Sequence, residues 1–514
     1  MMIVRGLALA LLFAMPAGAA GQAPEAQALH SYRRARAVLD AGIEAAGGEA
    51  LIRGVAGIRR EQVERRIDIG QQQRPWLGPP DRERQPAGDV VPVSSFIDYA
   101  RGRWARAQHF DDGPAARFIQ VDGGTNADTF SAGHYYDEPV FWHSGPDSGA
   151  GTAFAREQKR YPEGLLRLAL ERADSLTWIG ARTVGRRRFD IIAFSDAQGI
   201  RLFLWFDATT GLLARTEGVR DHALLGDVGF ETIFRDYRRV RGLMSPFDIE
   251  ERLAGYPTRT TSVRTVDFAA DAPDLFAIPA RRIEIMTPPD VPTLHHRGGG
   301  VYEILGPYNV MFAVFDDYVL LAEAPVSSAY AETVLGLIAS VAPGKPIRAV
   351  STHFHYDHLG GVRALAARDI PILTTADART VIDGTPGGAR TIRPDGYDLR
   401  AHRAAVAIAG PLTLLADERQ RVQIFHVGPG EHVADMLLVY FANTRTLFVA
   451  DLWDVPTARQ AIAGPDAELV MARVAELGLE VDRMVPVHGV PVSRAEIVQG
   501  LAIRRRHLGR SDAP

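Results

Sequence analysis

The 514-residue chain contains no cysteine. It can therefore form no disulfide framework, and it offers no thiol to which a lipid anchor could be attached. The chain also lacks a strong excess of either charge, since its formal net charge is −4, which gives no drive toward nucleic acid or an anionic membrane. Beyond the N-terminus there is no apolar run long enough to span a bilayer, no internal repeat and no extended low-complexity tract. These absences argue against nucleic-acid binding and stable membrane insertion, and they leave the oligomeric state open.

The N-terminus has the pattern of a secretory signal peptide. Residues 1–5 carry a positive charge, residues 7–14 are apolar, and residues 17–20 are small. The apolar stretch is too short for a membrane span, although a buried N-terminal helix is an alternative. We expect residues 1–20 to be removed and the mature protein to be periplasmic or secreted, because no cysteine is available for lipidation.

Length and a hydrophobic content of 46% predict more than one packed domain. A Pro/Gly-rich segment, residues 286–300, marks a linker between an N-terminal domain, 28–285, and a second domain, 301–507. The first domain is predicted to be α+β and rich in antiparallel strands. Helical spacing covers 30–46 and 165–172, alternating strands cover 189–193, 202–206, 212–216 and 230–234, and the turn 207–211 joins two of them as a hairpin.

The role of the N-terminal domain is not evident from its residues. The run 235–246 resembles a stretch of curved-sheet periplasmic lipoprotein-carrier domains, but the match is short. The domain could bind an apolar ligand, present a substrate or mediate oligomerisation. A scaffolding sheet packed on its own core is an equally good interpretation, because aromatic residues at strand spacing usually belong to a core.

One short segment of the second domain carries most of the chemical information. It contains His353, His355, Asp357 and His358. Alternate side chains of an extended segment share a face, so His353 and His355 can contact one cation. Asp357 and His358 follow where two glycines let the backbone turn, so they can face a second cation. A strand-like run precedes the segment and a helical run follows it, which is where α/β folds form their sites. A solvated histidine cluster is the weaker alternative, and the sequence predicts metal binding.

Three further side chains of metal-binding type come later in the chain. His432 lies in a Gly/Pro turn before a strand-like run, whereas Asp451 and His488 each end such a run. Each polar residue thus follows or precedes a β-branched or aromatic stretch next to a break. A fold can deliver separate side chains to one rim in this way.

These motifs together resemble the metallo-β-lactamase superfamily. The resemblance covers roughly residues 300–505 and comprises H-x-H-x-D-H, a later histidine in a Gly-Pro-Gly turn, a strand-terminal aspartate and a final His-Gly. It implies an αββα sandwich for the second domain. Two departures stand out: Glu431 is inserted before His432, and Glu323 occupies a place where the family often has aspartate.

The resemblance also implies a ligand set for two metal ions. His353, His355 and His432 would hold one ion, Asp357, His358 and His488 the other, and Asp451 would bridge them. The donors suit two Zn²⁺, although iron or manganese would also fit. Two such ions share a hydroxide that attacks the scissile centre, and Asp357 would act catalytically by taking a proton.

The same resemblance narrows the reaction. Members that open β-lactam rings often have cysteine or serine near the bridging position, whereas this chain has Asp451. A phosphate substrate is not indicated, because there is no cluster of Arg or Lys near the site. We therefore expect a secreted dinuclear zinc hydrolase acting on an ester, lactone or thioester of a small organic substrate. β-Lactam or phosphodiester hydrolysis, a mononuclear oxidase or dioxygenase, and a degenerate binding domain are the alternatives.

Several nearby residues compete for these roles. His426 is six positions from His432, but it ends a strand-like run and is better explained as a hydrogen-bonded strand-end histidine. Asp435 is expected to orient a metal-bound imidazole. Trp453 is expected in the core rather than in the pocket wall. Residues 384–393 are predicted to form a flexible rim whose arginines are either solvated or in contact with a substrate carboxylate.

Overall fold

The computed structural model describes most of the chain from residue 26 onward. The described residues are 26–507 and 509, except 68, 76–88, 112–116, 126–128, 136–137, 145–152, 278–279, 281–282, 285–288, 385–387, 398–404, 454–462, 465 and 508. The expected signal peptide, residues 1–20, lies outside them. No helix among the described residues is long and apolar enough to cross a membrane.

The N-terminal half forms one 14-stranded sheet. Its strands are β1 (Gly57–Arg66), β2 (Asp89–Asp98), β3 (Arg103–Asp111), β4 (Arg117–Gly124), β5 (Thr129–Tyr135), β6 (Glu138–Ser144), β7 (Thr177–Val184), β8 (Arg187–Ser195), β9 (Arg201–Asp207), β10 (Leu213–His222), β11 (Gly226–Val240), β12 (Leu243–Leu253), β13 (Tyr256–Phe268) and β14 (Ile283–Glu284). Two antiparallel meanders, β1–β6 and β7–β13, join where β1 pairs with β13, and only the short β14 pairs in parallel. The predicted antiparallel, strand-rich character is confirmed, as is the hairpin between β9 and β10.

Helices cover part of this sheet. They are α1 (Gln27–Ala46), α2 (Glu49–Gly54), α3 (Ala153–Gln158) and α4 (Pro162–Glu171), with 3-10 turns at Ala173–Ser175 and Pro273–Phe276. Leu39 of α1 and Leu165 of α4 are fully buried in one cluster with Phe194 and Leu204 of the sheet. α1 ends at Gly47, whose φ of 133° a side chain would oppose. Both helices predicted for this half are therefore confirmed.

The C-terminal half contains two further sheets. The seven-stranded sheet comprises β15 (Thr293–Gly298), β16 (Val301–Leu305), β17 (Val310–Val314), β18 (Val319–Ala322), β19 (Ile347–Val350), β20 (Ile372–Thr374) and β21 (Val406–Ile408). The six-stranded sheet comprises β22 (Leu412–Ala416), β23 (Arg421–His426), β24 (Leu437–Phe441), β25 (Thr446–Ala450), β26 (Arg483–Pro486) and β27 (Val492–Ser493). The helices are α5 (Ser328–Val341), α6 (Tyr356–Leu359), α7 (Val362–Ala366), α8 (Ala376–Gly384), α9 (Ala467–Glu476) and α10 (Arg494–His507), with a 3-10 turn at Ala442–Thr444.

The two sheets of this half share a core. Alternate residues of β17 divide between two clusters: Met311 packs with the six-stranded sheet, whereas Phe312 packs with α5. Val470 of α9 and Ile497 of α10 also contribute to the core that includes the six-stranded sheet. A strand buried on both faces reads as a continuous apolar run, as β17 and β18 do. Helices thus flank the paired sheets.

The expected linker is partly a strand. β15 begins at Thr293 and pairs with β16, because Gly298, Gly299 and Gly300 all adopt positive φ and form the turn between them. The seven-stranded sheet therefore starts within the span 286–300. Residues 285–288 of that span lie outside the described residues.

The two halves of the chain touch through closely packed backbone. A Cβ added to Gly388 would lie 2.2 Å from the carbonyl oxygen of Leu225, and one on Gly226 would lie 2.6 Å from that of Ala389. The amide of Asp227 donates to the Ala389 carbonyl at 2.8 Å. Only glycine permits so close an approach. Residues 388–393 are thereby fixed to the β10–β11 turn.

Candidate metal centre

The seven side chains singled out in the sequence meet at one end of the C-terminal half. They form two groups, each with ligand-type atoms within 4.8 Å of one another: His353, His355, His432 and Asp451, and Asp357, His358, Asp451 and His488. The segment that contains His353, His355, Asp357 and His358 follows β19. Asp451 directly follows β25, and His488 lies just beyond β26. β25 and β26 are parallel, so their carboxyl ends deliver both side chains to the same edge.

The glycines of the motif act differently from the expectation. Gly360 and Gly361 have φ of −58° and −87°, which any residue can adopt, so they do not provide a special turn. A Cβ on Gly360 would instead lie 2.3 Å from the Val326 carbonyl, and one on Gly361 would lie 2.3 Å from that of Ala324. They let α6 approach the segment after β18, which brings His358 over that segment.

Asp451 is the residue common to both groups. Its Oδ2 lies 3.0 Å from His358 Nε2, 3.3 Å from His432 Nε2 and 3.8 Å from His353 Nε2, while its Oδ1 lies 3.5 Å from His488 Nε2. The preceding residue, Ala450, has a φ of 49°, which costs an L-residue about 1–2 kcal/mol. Such strain concentrates at functional sites, and here it turns the carboxylate out of β25 toward the histidines.

The donor atoms fit divalent cations. His353 Nε2, His355 Nδ1, His432 Nε2 and Asp451 Oδ1 are buried and have no hydrogen-bond partner among the described residues. Buried polar atoms are normally paired, so unpaired donor atoms clustered in this way are typical of a site that binds a cation. Imidazole and carboxylate donors without thiolate suit zinc and also suit iron or manganese.

The first group is prepared for metal binding by its protonation state. Burial, with the neighbouring imidazoles, lowers the pKa of His353 well below its usual value and that of His355 to about 4. Both rings are therefore neutral at pH 7, which is the form that ligates a cation. His355 Nε2 lies 3.1 Å from the Gln72 carbonyl oxygen, so this nitrogen carries the proton and Nδ1 is left for the ion.

Glu323 orients His358 of the second group through the ring nitrogen that faces away from the centre. This fully buried carboxylate lies 3.0 Å from His358 Nδ1 and accepts hydrogen bonds from the hydroxyls of Ser351 and Thr352. Burial opposes the charged form of His358, but Asp451 and Glu323 together raise the pKa of the ring well above its usual value. Glu323 has a φ of 81°, a second strained residue at the site. Glu323, which stands where the resembled family often has aspartate, therefore keeps the proton of His358 on Nδ1 and directs Nε2 toward the centre.

The loop that carries His432 is fixed by a residue that the sequence reasoning missed. Asp466, before α9, accepts hydrogen bonds from the amides of Glu431 at 2.9 Å and His432 at 3.0 Å. A Cβ on Gly430 would meet the Asp466 carboxylate at 2.7 Å, so the glycine permits this contact. An aspartate just before a helical run was the available signal, but it normally indicates a helix cap.

A segment of the N-terminal half lies on the metal centre. Residues 70–73, here called the strap, follow β1 and contact four places of the C-terminal half. Gln71 Nε2 donates to Asp357 Oδ1 at 2.5 Å, the Gln72 carbonyl faces His355, and the Gly70 carbonyl accepts from the amide of Tyr356 at 3.2 Å. The fourth residue, Gln73, bonds to Gly430 and Ala434. Sequence spacing gave no signal for this contact.

Some of the remaining sequence predictions are confirmed and others are wrong. His426 is a strand-end histidine, as predicted, with Nδ1 2.6 Å from Asp435 and Nε2 3.2 Å from the Ala409 carbonyl. The expectation that Asp435 orients a metal-bound imidazole is wrong, because its partner is His426, which belongs to neither group. Trp453 is fully buried in the core, as expected. Arg390 is neither solvated nor free for substrate, since it pairs with Asp221 at 3.0 Å across the contact between the halves.

The centre opens to solvent on one side. A cavity of 350 Å³ is lined by His432, Asp451 and His488, together with Glu431 and Asp466. His432 and His488 have side chains 31% and 35% exposed, whereas His353 and His358 are fully buried. A small molecule can therefore reach the centre from the side of His432 and His488.

Comparisons with known proteins find similarity over part of the chain. No protein-family profile matches the chain. It is 29% identical over 194 residues to a linear primary-alkylsulfatase of Pseudomonas sp. (strain ATCC 19151), with 30% of this chain and 36% of the sulfatase covered. The match thus spans little more than a third of that enzyme.

Solved structures align with part of the chain. A metallo-β-lactamase from Pontibacter korlensis aligns at 20% identity over 42% of this chain and 99% of its own, with a TM-score of 0.33. The mono-zinc form of FIM-1 from Pseudomonas aeruginosa aligns at 20% identity over 43% and 98%, with a TM-score of 0.32. A metallo-β-lactamase from Hirschia baltica aligns at 19% identity over 41% and 97%, also with a TM-score of 0.32.

Proposed function

We propose that this chain, a metal-dependent hydrolase of the metallo-β-lactamase superfamily, uses two zinc ions to hydrolyse an ester, lactone or thioester bond of a small organic substrate. The observation that carries this proposal is the position of Asp451, whose Oδ2 lies 3.3 Å from His432 Nε2 of the first group and 3.0 Å from His358 Nε2 of the second. A bridging carboxylate of this kind suits a pair of ions better than a single one.

The residues divide the work as follows. His353, His355 and His432 would hold one ion, Asp357, His358 and His488 the other, and Asp451 would bind both. When bound, a pair of such ions supplies hydroxide at neutral pH and polarises the oxygen on which charge develops. Asp357 Oδ2, which lies 3.1 Å from His488 Nε2, is placed to take a proton as the leaving group departs. Buried Glu323 and the strap keep these side chains in position.

Sulfate-ester hydrolysis is a second candidate. The similarity to a linear primary-alkylsulfatase favours it, although the match covers only part of each chain. Hydrolysis of β-lactams or phosphodiesters has no comparable support from the residues at the site. A mononuclear oxidase is disfavoured, because it would leave His358, Asp357 and His488 without a role.

The test combines metal content with a substrate panel. Zinc-loaded full-length protein should contain about two zinc ions per chain and should turn over at least one carboxylic ester, lactone, thioester or alkyl sulfate. Asp451→Ala should lower kcat by at least about a hundredfold and reduce bound zinc. Asp435→Ala is the matched control, because among the described residues the partner of Asp435 is His426; this variant should retain both metal and activity. Full activity in metal-free protein, or oxygen consumption in place of hydrolysis, would refute the proposal.

We also propose that the protein is exported, on the pattern of residues 1–20. Expression of the whole chain in a Gram-negative host, followed by intact-mass measurement of the periplasmic and cytosolic fractions, tests this. A periplasmic species shortened by about twenty residues is expected. A full-length species confined to the cytosol would contradict it.

A further inference from the structure

A second and much larger cavity lies in the N-terminal half. Its volume is 1620 Å³, more than four times that of the opening at the metal centre. Strands of the 14-stranded sheet form most of its wall, and Tyr356, Ile392 and Arg393 of the C-terminal half complete it. Cavities for compact small ligands are usually about 300–1,000 Å³, so this one has room for a chain-like molecule.

The cavity carries an excess of positive charge. Among the residues that the structure describes, nine Lys and Arg side chains line it, against three Asp and Glu side chains. Two carboxylates that do not line the cavity, Glu64 and Asp196, pair with cations that do. When both are included, the positively charged side chains still outnumber the carboxylates by four. Charge of one sign inside a concave, low-dielectric wall raises the local concentration of ions of opposite charge.

The deepest cations crowd around one carboxylate. Fully buried Glu64 lies 2.5 Å from Arg106, 2.7 Å from Arg66 and 3.4 Å from Arg259. Burial, with the adjacent Arg160, lowers the pKa of Arg259 to about 10. The Nε atom of Arg106 is buried and has no partner among the residues that the structure describes. The guanidinium of Arg106, whose Nη2 contacts Glu64, therefore retains a further donor for an anion.

The mouth of the cavity is both apolar and cationic. Ile200, Val219 and Ile392 are 40%, 53% and 45% exposed, unusually high for large apolar side chains. Arg201 and Arg393 directly follow two of them in sequence, and within the described residues neither forms an ion pair. Exposed apolar side chains grouped at a cavity mouth indicate a ligand or partner site. Aromatic and aliphatic wall residues continue the apolar surface inward, namely Trp104, Phe130, Leu165, Leu202 and Phe230.

We propose that this cavity binds an amphiphile with one linear apolar chain and one anionic head group. The head group would meet the arginines, which can donate bidentate hydrogen bonds to carboxylate, sulfate or sulfonate oxygens. The chain would lie along the apolar wall, where burial of its methylene groups is favourable. A highly charged polyanion would leave that wall unused, and a neutral lipid would leave the arginines uncompensated.

The cavity reaches the metal centre through shared residues. Tyr356 lines the cavity and lies in the chain between His355 and Asp357. Its ring contacts that of His222, another lining residue, with centroids 5.7 Å apart. A ligand of the cavity would therefore lie against the wall that carries two metal-binding side chains. The binding proposal itself does not depend on the proposed hydrolysis.

The test uses a ligand that cannot be hydrolysed as an ester. Binding of decanesulfonate to the full-length mature protein is measured by calorimetry far below the micellar concentration. We expect one saturable site, with a Kd at least tenfold lower than those of ethanesulfonate and decyltrimethylammonium, which lack the chain and the negative charge respectively. Equal binding of the cationic analogue, or absence of a saturable site, would overturn the proposal.

Substitution of arginines at the cavity mouth tests whether decanesulfonate binds in this cavity. The double variant Arg201→Ser, Arg393→Ser should raise the Kd about tenfold. The matched pair Arg182→Ser, Arg188→Ser, two exposed arginines outside the cavity, should leave it unchanged. A Kd that responds equally to both pairs would refute the assignment. The Asp451→Ala variant should bind decanesulfonate normally, so failure of the hydrolase proposal and failure of this one are separate results.

Discussion

Gln71 in the N-terminal half donates a hydrogen bond from Nε2 to Oδ1 of Asp357, 286 positions later in the chain. One oxygen of Asp357 is thereby held by the strap, while the other faces His488. The metal centre therefore includes a contact from outside the C-terminal half. Partners of this kind orient a ligand, and their loss typically lowers activity or metal affinity by about 10–100-fold.

We predict that Gln71→Ala lowers kcat about tenfold with little change in KM, because Asp357 loses its orientation while the opening for substrate is unaltered. Gln72→Ala is the matched control, since it preserves the main-chain carbonyl that faces His355 and removes only a hydrogen bond within the strap, from the Gly70 amide to the Gln72 side chain. Steady-state kinetics and zinc content of both variants provide the measurement. Equal loss in the two variants would indicate a general disturbance of the strap instead.

Glu323→Gln should weaken zinc binding to the second group about tenfold or more, because the amide supports the required tautomer of His358 less well than the carboxylate. Competition with a chromogenic chelator would show one zinc ion released more readily than the other. Glu323→Gly also removes the carboxylate but tolerates the positive φ without strain. Comparison of the two variants therefore separates the effect of the carboxylate on His358 from that of backbone strain. Unaltered zinc affinity in both variants would show that Glu323 has no part in orienting His358.

Asp466→Ala should free the amides of Glu431 and His432 and loosen the loop that carries His432. We expect zinc affinity of the first group to fall about tenfold, with a smaller loss for Asp466→Asn, whose amide oxygen can still accept a hydrogen bond. Zinc titration of the metal-free variants tests this. If both variants bound zinc as the parent protein does, the loop would be held by other contacts.

His222 predicts a pH dependence of stability. Burial, with nearby Arg220 and Arg390, lowers its pKa to about 4, and its Nδ1 accepts hydrogen bonds from the amides of Leu224 and Leu225. The unfolded chain, with an ordinary histidine pKa near 6.5, binds more protons between pH 6.5 and 4. The contribution of His222 to stability should therefore be present above pH 6.5 and should be lost as the pH falls toward 4, by about 2 kcal/mol between pH 7.5 and 5.

The comparison that isolates this residue is urea unfolding of the parent and of His222→Gln at pH 7.5 and pH 5. The variant lacks the titrating ring, so its loss of stability between the two pH values should be smaller by that amount. A variant that loses as much stability as the parent would refute the assignment.

The sequence predicted the metal-type side chains because they are local signals next to strand ends. His353, His355 and His358 lie within six residues, and Asp451 ends a short apolar run of strand-like composition. The structure brings all of them together with His432 and His488. The antiparallel N-terminal strands were likewise visible as alternating runs ended by turns.

What the sequence did not predict depends on contacts between distant segments. Arg66, Arg106, Arg160 and Arg259 look like separate solvated arginines until the sheet places them around Glu64. The absence of a basic cluster near the metal motif was therefore a statement about sequence distance alone. The error over Asp435 has the same origin, because the pairing of β23 and β24 decides that it meets His426. The resemblance of residues 235–246 to lipoprotein carriers stays a prediction.

The backbone contact of Gly226 with residues 388–389 has a consequence for how this protein can change. Neither Gly226 nor Gly388 has room for a side chain. A substitution at either position would therefore require the backbone of the other half to move. Exchange of the N-terminal half for an unrelated sheet would also remove the carbonyl that fixes the proton on His355. The two halves are therefore expected to be inherited together, and a chimaera built at the Pro/Gly segment should lose zinc even if both parts fold.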